Sequence, residues 1–398
     1  MSQTPWKGKF QNSAVQLMSE LAQRHRILYV DYQYTIKDGL MGIIGRRDVP
    51  IRSLLKLEDS LTQLRLENGS EIYIWVPPVS IPTNRLANSS HDKVHQWNVN
   101  RLVKELRNVM ARLGMNHPLV VNAFNPVWGS PMVGRLNEYA TVYYCYDEIT
   151  AESWISRHGQ RYEKAYLQQV DAVITTSEAL RQSKSVQQPA TFCVKNGANF
   201  TLFHQARRLA GQNPPARPTV GYLGTADNRI DVNLVEDCIR KMPEVDFQFI
   251  GEVNEPTLHS RLSGFPNVIF TPSVPPGELP GLLANLSVGL IPFVCNEHTS
   301  TIYPLKINEY LAAGLPVVST PFSILDEFEG VVELAHDPES FVRALRRALQ
   351  DQSPERIRQR VDMARANSWE KRAEEFERII QQLSNAWATK LVADPVAC

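Results

Sequence analysis

The sequence predicts an α/β protein made of two doubly wound domains. Three observations carry this. Apolar runs of strand length alternate with longer amphipathic segments along nearly all of the 398 residues, the pattern of parallel sheets flanked by helices. Several of those runs are continuously apolar, as in strands covered on both faces. Near the middle, Leu209–Thr219 reads LAGQNPPARPT, a proline-rich stretch of linker composition.

In the first half, strands are expected near Arg26–Tyr32, Ile72–Pro77, Leu119–Phe124, Ala140–Tyr146, Ala172–Ser177 and Thr191–Lys195. Helices are expected over Ser13–Arg24, Val94–Leu113 and Arg157–Val170. After the linker the alternation restarts, with strands near Thr219–Leu223, Asp246–Gly251, Asn267–Thr271, Val288–Pro292, Leu315–Ser319 and Val331–Leu334. Helices lie between them, among them Asn233–Lys241 and Pro276–Leu286. The end of the chain, from Pro354 to about Lys390, reads as helical, with Trp369, Phe376, Ile379, Ile380 and Leu383 on one stripe. The expected domains are 1–208 and 216–368, with the helix 369–390 returning to the first. Two such domains facing each other make the cleft between them the expected binding site, because ligands sit beyond the carboxyl ends of the strands.

Composition removes several function classes. The 42 basic and 42 acidic side chains cancel, so there is no electrostatic footprint for nucleic acid. No apolar stretch reaches bilayer-spanning length, and MSQTPWKGKFQNS has no signal-peptide core. Five cysteines, Cys145, Cys193, Cys238, Cys295 and Cys398, form no C-x-x-C pair; free thiols in a reducing cytoplasm are expected. His91 and His95 are four apart without a third ligand in view, and no D-x-D follows a strand; core or surface histidines and no essential metal are expected. Lys37–Lys56 mixes Leu40, Met41, Ile43, Ile44, Leu54 and Leu55 with Arg46, Arg47 and Arg52. It reads either as an amphipathic core helix with a charged outer face or as a membrane-surface patch.

The chemistry concentrates in one segment. A strand over Val288–Phe293 runs into the polar loop Asn296-Glu297-His298-Thr299-Ser300-Thr301-Ile302-Tyr303, and a helix starts near Pro304. Lys306 and Glu309 stand on its first turns, and Gly314 ends it ahead of a buried strand. A polar loop entering a helix N-terminus at a strand's carboxyl end suits an anion. Lys306 adds a full positive charge, and Glu309 an acceptor for sugar hydroxyls. A second element, Val220-Gly221-Tyr222-Leu223-Gly224-Thr225-Ala226-Asp227-Asn228-Arg229-Ile230-Asp231, is a strand, a glycine turn and a helix start. Gly224 permits close backbone approach. Arg229 suits negative charge developing on a leaving group, and Asp231 reads as a helix N-cap.

The string Pro304-Leu305-Lys306-Ile307-Asn308-Glu309-Tyr310-Leu311-Ala312-Ala313-Gly314-Leu315-Pro316-Val317-Val318-Ser319-Thr320 resembles the donor-binding segment of GT-B glycosyltransferases of the family-4 type. The resemblance implies a nucleotide-diphosphate sugar as donor, with no other cofactor, bound on the C-terminal domain. It implies that Glu309 bonds the nucleotide ribose, and that Asn296, Thr299, Thr301, Tyr303 and Leu305 belong to the loop and helix N-terminus that take the diphosphate. Asn296 to Thr299, N-E-x-T, is similar to a subset that builds cell-surface polysaccharides. Many relatives carry a second glutamate where this chain has Thr301. The Gly224–Arg229 element resembles the loop that grips the phosphates, with Thr225 and Ala226 where an arginine is common. The loop Phe270–Pro280, around Val274, resembles the loop against the nucleotide base, or is a proline-stiffened connection.

In the N-terminal domain the resemblance implies a carbohydrate or lipid-linked acceptor. Tyr143-Tyr144-Cys145-Tyr146-Asp147-Glu148 runs from a buried strand into two carboxylates, similar to a Y-D-x-x-D/E element of the polysaccharide-type relatives. Asp147 or Glu148 bonds the acceptor or assists proton transfer, or simply caps a helix. Lys7 and Lys9, in the loop where relatives carry glycines, read as surface residues. The expectation is a glycosyltransferase with Asp147, Arg229 and Lys306 in catalytic roles, retaining by resemblance. It is expected in the cytoplasm or peripherally at the inner face of the membrane through residues 37–56. An epimerase acting on the donor, or an idle member of an assembly complex, are the alternatives.

Overall fold

Strand pairing in the computed structural model follows the alternation read from the sequence, with one strand added. The structure describes residues 1–2, 4–8, 12–149, 155–212 and 215–393; Lys9 lies outside them. Contacts divide the chain into Met1–Lys195 with Ala373–Cys398, and Asn196–Arg372. The Leu209–Thr219 stretch expected to join two domains therefore falls inside the second unit, and the division comes at the Asn196-Gly197 turn. Gly197 is packed there against the backbone of Ser368 and Trp369, which a Cβ would approach within 2.9 Å.

The first unit holds β1 (Leu28–Val30), β2 (Leu61–Arg65), β3 (Glu71–Trp75), β4 (Leu119–Ala123), β5 (Ala140–Cys145), β6 (Ala172–Thr175) and β7 (Thr191–Cys193). They form a three-stranded sheet, β1-β3-β2, and a four-stranded sheet, β4-β5-β6-β7. The Ser2 amide donates to Val30 at 3.1 Å, while the Ala123 amide donates to Met1 at 2.8 Å, so two residues of backbone stitch β1 to β4. Strand β2 was not anticipated. It runs antiparallel to β3, and its signal is Asn68-Gly69, with Gly69 at φ +83°, a hairpin turn that only a residue tolerant of positive φ makes cheaply. The helix Trp369–Ala393 brings fully buried Phe376 against Tyr144 at 6.0 Å.

The second unit contains β8 (Thr219–Leu223), β9 (Asp246–Ile250), β10 (Val268–Thr271), β11 (Val288–Ile291), β12 (Val317–Ser319) and β13 (Val332–Leu334). All are parallel, in the order β10-β9-β8-β11-β12-β13. This is the Rossmann order, in which the chain reverses its direction of winding between the first and fourth strands. Here that switch point lies between β8 and β11. The central strands β8 and β11 have no exposed residue, whereas the edge strands β10 and β13 expose Ile269 and Leu334. Of the described helices, none is long and apolar enough to cross a membrane.

Candidate functional site

The switch point gathers most of the residues singled out in the sequence. Strand β8 ends at Gly224, whose φ of +112° excludes an ordinary side chain. A Cβ there would also lie 2.7 Å from Cε of Lys306. Lysine and glycine backbone are therefore in contact although 82 residues separate them in the sequence. The turn that follows is stitched to the loop after β11: Asp231 donates its amide to Pro292 at 2.8 Å, and Val294 to Arg229 at 2.8 Å. Arg229 and Lys306 both lie over the Phe293 ring, their cationic groups 5.3 Å and 5.8 Å from its centroid. Lys306 also sits 5.4 Å from the Tyr222 ring. Because Gly224 leaves no room for a β-carbon, Gly224→Ala is expected to displace Lys306 and weaken nucleoside diphosphate binding roughly tenfold or more, equivalent to about 1.4 kcal/mol. Calorimetric titration against the wild type checks it; unchanged affinity sinks the contact.

Lys306 stands on the helix Leu305–Ala312. Its N-cap is Pro304, which supplies no side-chain cap, so the first amides of the helix keep the positive end of its dipole open to an anion. The proline sits one position earlier than its expected place in the first turn. Burial pulls the Lys306 ammonium down to about 8, helped by repulsion from Arg229 and opposed by Glu309 and Asp227. Burial pushes the Glu309 carboxyl up to about 7, opposed by Lys306. Two opposite charges, each disfavoured by burial, mark this pair as a candidate ligand site.

Two residues outside the sequence reading bond to members of this cluster. Tyr310 is fully buried; its hydroxyl accepts the Leu223 amide at 2.6 Å and donates to the Gly221 carbonyl at 3.1 Å. It thereby pins the helix to the end of β8. Gly289 makes room for its ring, since a Cβ there would lie 2.5 Å from it. Asp227 is the second, bonded to Arg229 by both carboxylate oxygens at 2.7 and 2.6 Å. Tyr310 belonged to the quoted motif as an aromatic, and nothing in one sequence marks its hydroxyl as a strand clamp.

The remaining residues divide by what their side chains already do. Asn296 and Thr299 cap one another: Thr299 donates its amide to Asn296 Oδ1 at 2.9 Å, and Asn296 its amide to Thr299 Oγ1 at 3.1 Å. Thr299 is buried, and its hydroxyl donates to Val294 at 2.6 Å. Tyr303 is buried, its hydroxyl accepting from Asn308 at 3.0 Å. The Thr301 hydroxyl donates to His298 at 2.9 Å. The hydroxyls of Thr299 and Tyr303 are thus engaged within the fold. Leu305 opens the helix, half-buried. Thr225 directs its carbonyl to the Tyr222 hydroxyl at 2.9 Å. Val274 follows the edge strand β10, two strands from β8. Asp231 caps its helix, accepting from Leu234 at 3.0 Å.

Asp147 belongs to the first unit, just beyond the carboxyl end of β5. The structure separates it from its neighbour. Glu148 is ion-paired to Lys184 at 3.1 Å, in a buried network with Glu163 and Tyr143. Asp147 is half-buried and accepts the Glu148 amide at 2.8 Å. His91 and His95 are core residues, joined by His158 at 3.8 Å from the His91 ring. A cavity of about 510 Å³ in this unit is lined by Leu28, Leu106, Met110 and Leu119 among others. Its lining contains none of the candidate site residues.

Residues 217–351, which include the whole switch-point cluster, match the family described as glycosyl transferases group 1. This segment belongs to that family. Gly224, Arg229, Lys306 and Glu309 all fall within the matched residues. A curated relative, the putative teichuronic acid biosynthesis glycosyltransferase TuaH of Bacillus subtilis (strain 168), is 25% identical over 227 residues, 52% of this chain and 56% of that protein. The match thus spans little more than half the length of the relative. Over the whole chain the fold is GT-B, with its two Rossmann-like domains. Sucrose-phosphate synthase from Thermosynechococcus elongatus superposes with a TM-score of 0.62 at 16% identity, covering 91% of this chain and all of that one. Trehalose 6-phosphate synthase from Burkholderia multivorans gives 0.66 at 12%, covering 97% and 98%. Anabaena HepE in complex with UDP gives 0.60 at 15%, covering 90% and 100%.

Proposed function

We propose that the protein transfers a sugar from a nucleotide-diphosphate donor to a hydroxyl of a carbohydrate or lipid-linked acceptor, in the assembly of a cell-envelope polysaccharide or glycolipid. The observation that carries this is the convergence of Lys306 on Gly224 beneath an uncapped helix N-terminus. In this reading Lys306, Arg229 and the first amides of the helix neutralise the leaving diphosphate, the place where charge develops in the transition state. Glu309, one turn along, bonds the ribose. Thr225, Val274 and the backbone of 296–305 complete the donor site. Asp147 serves the acceptor hydroxyl, and the anomeric configuration is retained. The teichuronic acid role in the name of TuaH supports a polysaccharide acceptor, and UDP in the HepE complex makes UDP-sugars the first donors to test.

Incubating the enzyme with a panel of nucleotide sugars and envelope-derived acceptors is expected to release nucleoside diphosphate in an acceptor-dependent manner. Epimerised donor without acceptor would instead indicate an epimerase. Absence of nucleotide binding throughout the panel would leave an assembly partner.

The same reading places the enzyme at the cytoplasmic face of the membrane through residues 37–56. Exposed apolar side chains in this segment support that reading over an amphipathic core helix, although Met41 and Leu54 are half-buried. Leu40, Ile43, Ile44, Leu55 and Leu57 are 54% to 66% exposed. Lys37, Arg46, Arg47, Arg52 and Lys56 are exposed beside them, the composition of a surface that enters an anionic interface. Wild-type protein is expected to cosediment with phosphatidylglycerol vesicles and not with phosphatidylcholine. Ile43→Glu with Ile44→Glu should abolish this, since each buried isoleucine contributes about 1.5–3 kcal/mol. A wild type that stays in the supernatant at low salt ends the membrane reading.

A further inference from the structure

Arg229, assigned above to the diphosphate, already holds an anion. Asp227, two residues before it, takes the edge of the guanidinium formed by Nε and one terminal nitrogen, at 2.7 and 2.6 Å. It also accepts the Arg229 amide at 3.1 Å. The two side chains are about one quarter exposed, so the pair sits in a recess and faces the same Phe293 ring as Lys306. Burial alone would raise the Asp227 carboxyl; its bonds to Arg229 and the field of Lys306 outweigh that and keep it below the usual carboxylate range. It is therefore a carboxylate bonded to Arg229 and lying in the field of Lys306. A carboxylate and a phosphate oxygen pair cannot occupy the same edge of one guanidinium.

We propose that Asp227 is a resident competitor for Arg229, a carboxylate that the donor's diphosphate must displace and that returns as the nucleoside diphosphate leaves. This inference rests on the assignment of Arg229 and Lys306 to the diphosphate. Its consequence is a weaker grip on donor and product than the two cations alone would give. The displaced carboxylate also recovers its partner during product release, so the step that frees the site is assisted from within the chain.

The experiment is calorimetric titration of UDP and of inorganic pyrophosphate, the second being independent of the base. The variants are Asp227→Asn, Arg229→Ala and the double variant, each checked for an unchanged melting temperature. Asp227→Asn is expected to bind both probes about tenfold more tightly than wild type. Arg229→Ala is expected to bind more weakly, and in that background Asp227→Asn should bring no gain, because the competitor has lost what it competes for. Two outcomes overturn the competitor and leave the donor site standing. Weaker binding by Asp227→Asn makes the carboxylate a brace for Arg229. An equal gain with and without Arg229 makes it a through-space repulsion. If Arg229→Ala binds both probes as wild type does, the assignment of Arg229 to the diphosphate falls, and the competitor with it.

Discussion

Lys306→Ala is expected to lower turnover by roughly 10²–10³, the loss found when one charge-stabilising donor is taken from a developing anion. The effect should fall mainly on the chemical step, because the charge on the bridging oxygen grows as the sugar departs, while donor binding weakens by a smaller factor. Lys306→Arg should not rescue it. The recess bounded by Gly224, Tyr222 and Phe293 fits an ammonium, and a planar guanidinium requires a wider approach. Glu309→Ala should act differently, reducing affinity for nucleoside diphosphates and leaving pyrophosphate unaffected, since its proposed partner is the ribose. Steady-state rates with an active donor, set beside titrations of both ligands, separate the two residues. Unchanged nucleotide affinity and turnover in both variants would falsify the site.

The same pair predicts a pH dependence. The unliganded lysine loses its proton near 8, and a bound diphosphate restores it by opposing charge. The lysine's contribution to pyrophosphate affinity should therefore be complete well below pH 8 and fall by up to tenfold for each unit above it, with proton uptake on binding. Calorimetry in buffers of different ionisation enthalpy reads that uptake directly; its absence at pH 8.5 contradicts a depressed lysine.

The second large effect concerns stability, at Lys184 in the first unit. Its side chain is 5% exposed and its ammonium lies 2.9 Å from Glu163, itself 7% exposed, and 3.1 Å from Glu148. Glu163 also accepts the hydroxyl of fully buried Tyr143 at 2.9 Å. Lys184→Met leaves a carboxylate in the core with no counter-charge, and breaking such a pair costs roughly 3–5 kcal/mol. Adding Glu163→Gln should recover much of the loss by removing the stranded charge. Urea unfolding of the first unit checks this; a loss below about 1 kcal/mol would show that water reaches the pair. Because Glu148 is held by the same lysine, the loop that presents Asp147 should loosen too, visible as faster amide exchange over 146–149.

Legibility tracked the range of the interactions involved. All twelve strands read from apolar runs are present, because burial on both faces writes itself into consecutive residues. Strand β2 was passed over because its burial is partial and irregular, and only the Asn68-Gly69 turn announces it. The unit boundary was misplaced because the Leu209–Thr219 composition suits any exposed connection, whereas Gly197 marks the division by packing that only the folded chain reveals. The patch at residues 37–56 shows the same limit. Its composition was plain, but whether those isoleucines face a core or the solvent depends on what the rest of the chain brings to cover them.

Of the candidate site, the sequence by itself determined the chemical parts: a strand ended by Gly224, a helix carrying Lys306 and Glu309, and a parallel sheet with ligand-binding ends. These are local properties of φ, periodicity and charge. Tertiary structure decided which parts meet. It brought Lys306 onto Gly224 from 82 residues away, clamped the two elements through Tyr310, and turned Thr299 and Tyr303 inward. It also set Asp227 on Arg229. The physical reason is that a buried ion pair or a shared aromatic ring is fixed by strand order and close packing, and neither is encoded in the spacing of residues along the chain.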